Sequence, residues 1–296
     1  MKLAQLELEN RSFPAVLTED GQAFHSFESL GLSQENLMAL VMKHPEEDMK
    51  KLREAAKTPG TPLTGVRFLA PLRKLPQDMI CLGINYMEHA EESARFHKED
   101  WDGKREQAVY FSKRIHETTD PEALIPRHAE LTDAVDYEAE LAVVLGKEAK
   151  NVKAENAANY VFGYTIINDV SARDVQNAHK QWYFGKSLDG FTPMGPVLVT
   201  ADEFSFPPKL DIESRVNGEV RQHSNTDKQI FKIDYVLEEL SVGMTLECGT
   251  VIATGTPSGV GMGFNPPKYL HSGDTVECEI EGIGVLRNRL ATSSLL

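Results

Sequence analysis

The chain has 296 residues, 41% of them hydrophobic, with a formal net charge of −14. That is apolar material for one large domain or a small one followed by a larger one. The acidity argues against nucleic acid or an anionic membrane surface as a partner, but not against a small anionic substrate received by a local cation.

The first residues, Met1-Lys2-Leu3-Ala4-Gln5-Leu6-Glu7-Leu8, alternate polar and apolar and predict a strand over 3–8. They lack the unbroken apolar stretch of a signal peptide, and no segment approaches the roughly 20 apolar residues of a membrane span. A soluble cytoplasmic protein is the expectation. A second strand is predicted at 15–17, then one helix over 33–57, with Ser33 as N-cap, Leu37, Leu40 and Val41 as its apolar stripe, and Pro59-Gly60 as its stop. Residues 1–75 thus read as a small N-terminal α+β domain. The stretch 71–76 carries Pro71 and Pro76, which interrupt any periodicity and mark a linker.

Residues 76–296 read as a larger, mainly β catalytic domain. Strands are predicted at 79–83 and 108–111. A hairpin turns at Asn217-Gly218, residues that tolerate the positive φ of a two-residue turn. A short strand over 251–254 leads into a loop rich in glycine, and a terminal hairpin pairs 275–281 with 285–289. Helices are few: 86–96, 172–180 and 234–240. Cys81, Cys248 and Cys278 are far apart and form no Cys-x-x-Cys pair, so they read as core filler rather than a disulfide framework or thiolate zinc site.

Within this frame Asp136, Glu138 and Glu140 alternate along one run that continues as Leu141-Ala142-Val143-Val144-Leu145. Alternate strand residues share a face, so a row of like charges would enter a core and need a cation. Acids in such a row most often form a solvated face. The second acid-bearing run, ending in Asn168-Asp169, tips the reading toward a hard divalent ion. Alternate strand residues lie roughly 6.5–7 Å apart, so three from one strand converge on an ion only with difficulty. The expected ligands are therefore Glu138, Glu140 and Asp169, with Asp136 supporting them from behind.

His89 and Glu92, three apart on a predicted helix, can form a base whose ring is oriented by a carboxylate, or a plain surface pair. The charged stretch 93–107 after them reads as a mobile lid or an ordinary surface loop. Asp169, Arg173 and Gln176 share a helical face, where Arg173 also fits a structural Arg–Asp pair. Lys186, after Trp182-Tyr183-Phe184, either faces a site as an oxyanion stabiliser or sits in a surface turn. Gly185-Lys186-Ser187 is not a phosphate loop, because Lys180 stands where its first glycine is needed. The run from Thr254 to Gly263 lacks dinucleotide spacing; its N–H groups and the Thr256 hydroxyl suit a carboxylate, or the run is a tight loop.

Five ordered motifs carry a resemblance to the fumarylacetoacetate hydrolase family: Gly-Ile-Asn-Tyr-x-x-His-x-x-Glu at 83–92, Asp-Tyr-Glu-Ala-Glu-Leu at 136–141, Asn-Asp-Val-Ser-Ala-Arg-Asp-Val-Gln at 168–176, Gly-Lys-Ser-Leu-Asp at 185–189 and Thr-Gly-Thr-Pro-Ser-Gly-Val-Gly at 254–261. The resemblance implies a mixed β-sandwich roll, usually a homodimer. It implies Mg²⁺ or Mn²⁺ on Glu138, Glu140 and Asp169, His89 and Glu92 as a water-activating dyad, and Lys186, Arg173, Gln176 and Thr256 on the substrate side. The implied activity is C–C bond cleavage in a 2-oxo or 1,3-diketo acid, either acylpyruvate-type hydrolysis or oxaloacetate decarboxylation. A 2-hydroxyhepta-2,4-diene-1,7-dioate-type isomerase and a non-catalytic metal- or ligand-binding protein are the alternatives. One departure is Lys113-Arg114-Ile115, where the family pattern has Lys followed by Pro, in a region expected to border the site.

Overall fold

The computed structural model describes residues 1–98, 100 and 103–292. Of the stretch expected as a lid, Glu99, Trp101 and Asp102 lie outside the described residues. The fold is α+β and dominated by two sheets. In spatial order the larger contains β4 (Thr61–Pro62), β3 (Ala23–Ser26), β2 (Arg11–Leu17), β1 (Lys2–Leu8), β13 (Met194–Thr200), β11 (Val161–Asn168), β10 (Ala139–Leu145), β16 (Val251–Ala253), β6 (Met79–Gly83) and β7 (Val109–Lys113), with β5 (Arg67–Leu69) also on β1. The smaller contains β15 (Glu219–Asn225), β14 (Asp211–Val216), β17 (Thr275–Ile280), β18 (Gly284–Leu290) and β8 (Leu124–Ile125). Two short strands, β9 (Val135–Asp136) and β12 (Ser171–Ala172), pair with each other.

The continuous apolar run of β10 has a plain cause: both of its faces are buried. Leu141, Val143 and Leu145 join the cluster shared with Ile212, Val276 and Leu286 of the smaller sheet. Ala142 and Val144 join the opposite cluster with Leu37, Leu40 and Leu52 of the helical layer. Strands from both sides of residue 75 lie in one sheet, since β1 pairs antiparallel with β13 through Leu3 and Leu198. The turn between β14 and β15 has positive φ at both Asn217 and Gly218, as its two-residue hairpin requires.

The helix expected over 33–57 is two helices, α1 (Leu37–Met42) and α2 (Glu46–Ala55). Pro45 divides them, because it restricts the residue before it and cannot donate into a continuing ladder. Asn36, not Ser33, caps α1 by accepting from Ala39 N at 2.9 Å. The other helices are α3 (Met87–His97), α4 (Arg173–Ala178), α5 (Tyr183–Lys186) and α6 (Ile233–Gly243). The stretch expected as one helix over 172–180 is the shorter α4. Among the described residues no helix is long and apolar enough to cross a membrane.

Candidate active site

The register of two central strands brings the distant acids together. Ala139 of β10 pairs with Asn168 of β11, so Glu138 and Asp169 meet one step beyond the ladder. Asp169 N donates to Glu138 O at 2.9 Å, and Glu138 N donates to the Asn168 side chain at 3.0 Å. The alternation over 136–140 is broken: residues 137 and 138 leave the strand between β9 and β10. Glu138, Glu140 and Asp169 are all buried, each with a carboxylate oxygen within 4.8 Å of the others.

Asp136 stands outside that triad. Its carboxylate accepts from Tyr137 N, Gly261 N and Met262 N, at 2.7–3.0 Å, and pairs with Arg173 Nε at 2.8 Å. Arg173 also brings Nη2 to 2.7 Å from Glu138 Oε1, as an ion pair rather than an aligned hydrogen bond, and donates from Nη1 to Gln176 at 3.1 Å. Lys186 Nζ bridges Glu138 Oε2 and Asp169 Oδ2, at 2.7 Å each. Glu140 Oε2 accepts from Gly255 N at 2.8 Å. Gly255 has φ of +92°, and a side chain there would press against Asn85 Cβ at 2.7 Å.

Burial raises two acids of the triad alike, but their charged neighbours send them in opposite directions. Burial pushes the Glu138 carboxyl upward, but Lys186, Arg173 and His89 outweigh it and hold the group below the usual carboxylate range. Burial also lifts Glu140, and there Asp169 and Glu138 add to it, so its carboxyl is raised well above that range. Lys186 is the converse: burial favours its neutral form, yet Asp169 and Glu138 keep it firmly charged. The four acids face three cations, Lys113, Arg173 and Lys186, so the fully ionised group keeps one uncompensated negative charge. An oxygen-only donor set with surplus negative charge fits a hard divalent cation.

Glu138, Glu140, Arg173, Gln176, Lys186 and Thr256 line a cleft of about 440 Å³, including its open mouth. His89 lines it from α3, and its Nδ1 meets Glu92 Oε2 at 2.8 Å with both side chains buried. The other Glu92 oxygen accepts from Gly259 N at 2.9 Å. Gly263 lets that carboxylate in, because a Cβ there would fall 1.9 Å from Glu92 Oε1. Thr256 Oγ1 donates to Ala139 O and accepts from Gln222 Nε2. Phe111 and Trp182 pack edge to face along one wall, with Lys186 Nζ 5.2 Å from the Phe111 ring centre.

The sequence reading assigned no role to three residues that organise this site. Asn85 donates to Thr254 O and Phe231 O, tying the start of α3 to the glycine-rich loop. Gln222 reaches Thr256 from the smaller sheet. Lys113 is fully buried against Asp169. A lysine ending a largely apolar strand hints at a buried partner without naming it, whereas Gln222 sits in the polar run Glu219–Asn225 and gave no such signal.

The family signature described as fumarylacetoacetate (FAA) hydrolase C-terminal matches residues 78–291. Oxaloacetate tautomerase YisK of Bacillus subtilis (strain 168) is 41% identical across 98% of this chain and 100% of its own length. The solved structure of a fumarylacetoacetate hydrolase from Exiguobacterium antarcticum is 40% identical, with a TM-score of 0.84 over 99% of this chain and 100% of that one. That of a putative HpcE protein from Mycobacterium smegmatis is 32% identical, with a TM-score of 0.85 over 98% of this chain and 99% of that one. With the matched signature covering most of its length, the chain belongs to the fumarylacetoacetate hydrolase family.

Proposed function

We propose that this protein is a divalent-metal-dependent enzyme that moves a proton at the carbon beside the 2-oxo group of a small 2-oxo acid, with keto–enol tautomerisation of an oxaloacetate-type diacid as its reaction. The observation that carries the reading is the buried His89–Glu92 pair, whose His89 lines the same cleft as Glu138 and Glu140. The similarity to the oxaloacetate tautomerase of Bacillus subtilis agrees with it. Mg²⁺ or Mn²⁺ on Glu138, Glu140 and Asp169 would supply a Lewis acid that polarises the substrate's carboxylate and 2-oxo oxygens.

The protein's own groups do the rest. Glu92 accepts from His89 Nδ1 and leaves Nε2 as the base. His89 takes a proton from C3, the freed pair forms the C2–C3 double bond, and the 2-oxo oxygen carries the charge until the proton held by His89 is returned to it, which leaves the base free again. Lys186, an obligate cation in this setting, stabilises that oxygen. Arg173, Gln176 and Thr256 shape the polar side of the cleft, and Phe111 and Trp182 shut water from the other.

C–C cleavage of a 1,3-diketo acid is the second reading. It is favoured by the cleft continuing past His89 to Ser93, His97 and Asn177, which leaves room for a distal acyl group. There His89 would deprotonate water for attack on the distal carbonyl, and the C–C electron pair would leave as the enolate. All cleft and triad residues come from 76–296, which supports that part as the catalytic domain and 1–75 as an added one. A homodimer belongs to the same proposal. The test is a panel of Mg²⁺-loaded assays: enol absorbance for oxaloacetate, and product release for acylpyruvates. Tautomerisation without cleavage upholds the first reading, acylpyruvate hydrolysis the second, and turnover of neither sinks both.

A further inference from the structure

Lys113 ends β7 and is wholly buried. Its ammonium spends its three donors on Asp169 Oδ1, on Phe191 O at 2.6 Å and on Val170 O at 3.1 Å. It does not line the cleft, and with no donor left it has nothing to offer a substrate. Among the described residues its only charged partner is one oxygen of one acid of the triad, and the other two acids are treated alike. Glu138 Oε1 is taken by Arg173, and Glu140 Oε2 by Gly255 N. Each carboxylate therefore has one oxygen engaged by a partner other than Lys186. The remaining oxygens are Glu138 Oε2 and Asp169 Oδ2, shared with Lys186, and Glu140 Oε1.

That division matters for ion choice. Mg²⁺ demands near-octahedral single-oxygen ligation, whereas Ca²⁺ accepts bidentate carboxylates and looser cages. We propose that Lys113 is a positioning residue: by holding Asp169 Oδ1 it limits this acid to one oxygen toward the cation and biases the site toward a Mg²⁺-sized ion over Ca²⁺. The inference rests on the reading that the triad holds a divalent cation, and it adds which side chain tunes the choice.

Its consequence opposes simple electrostatics. Removing a buried positive charge beside a cation site should tighten binding of every divalent ion. Losing a positioning partner should instead weaken Mg²⁺ selectively, by about tenfold or more. The experiment is calorimetric titration of the full-length protein with Mg²⁺ and separately with Ca²⁺, for wild type, Lys113→Met and Lys113→Gln. In Lys113→Met the Mg²⁺ dissociation constant should rise about tenfold or more, while that for Ca²⁺ changes less than about threefold. Lys113→Gln, whose amide can still donate to Oδ1, should keep the wild-type ratio within about threefold despite losing the charge. Both ions tightening or weakening together in Lys113→Met overturns the proposal. Circular dichroism checks folding; should Lys113→Met not fold, a tenfold shift of the ratio in Lys113→Gln overturns it alone. No binding of either ion by wild type would remove the metal site itself, and the proposed function with it.

Discussion

The floor and the roof of the cleft are built on different principles. The floor is Glu138, Glu140 and Asp169, set by β10 and β11 and locked by Lys113, Arg173, Lys186 and Gly255. Every one of those side chains is buried, and the strands beneath them are covered on both faces. The roof is α3, whose buried residues, His89, Ala90, Glu92, Ser93 and Ala94, give way to an exposed end at Arg95 and His97. Glu92 fastens it to the loop below through one backbone N–H of Gly259. A centre that gathers charge needs a rigid floor, whereas a base that must meet and release substrate can ride on an element with few fixings.

Breaking the floor should do most. Glu138→Ala removes a member of the triad and the partner of Arg173 and Lys186, leaving two buried cations without it. Turnover of 2-oxo acids should fall to background, as it should on chelation of the wild type. Metal-dependent activity retained in the variant would show the floor drawn wrongly.

Next comes the base of the roof. His89→Ala should cost proton transfer on the order of 10²-fold or more, the usual scale for a positioned base. Calorimetry should find Mg²⁺ affinity near that of wild type, because the floor is intact. A loss confined to metal affinity would put His89 in the wrong half of the site.

The fastening between roof and floor is tested by Gly263→Ala, whose new Cβ would meet Glu92 Oε1 at 1.9 Å. Pushing Glu92 off Gly259 should lower kcat about tenfold by misorienting His89, with Mg²⁺ binding unchanged. An unaltered kcat would mean that the dyad tolerates the loss of its anchor.

The smallest effect lies outside both halves. Asn36→Ala removes the cap of α1 and should cost about 1 kcal/mol of stability, read as a lowered denaturation midpoint with kcat unchanged. A change in turnover would couple the helical layer to the cleft.

Much of this site was legible in one dimension because its chemistry is local in sequence. His89 and Glu92 lie one helical turn apart, and the acids at 136–140 announce themselves by alternation beside an apolar run. The apolar run of β10 marked a strand, and Asn217-Gly218 marked a turn, because those patterns follow from backbone sterics alone. The helix over 33–57 was misread because its apolar stripe outweighed Pro45, a break that acts through a missing donor rather than through hydropathy.

What the amino-acid order determined by itself is the kind of groups present, their periodicities and, through five motifs, the family. The tertiary structure alone decided which cation meets which carboxylate oxygen. It put Lys113 on Asp169, Arg173 between Asp136 and Glu138, and Gly255 N on Glu140. Such pairings depend on strand register and on contacts between segments far apart in the chain, which no local pattern encodes. Burial then turns them into strong electrostatic constraints, because few water molecules remain to take either partner's place.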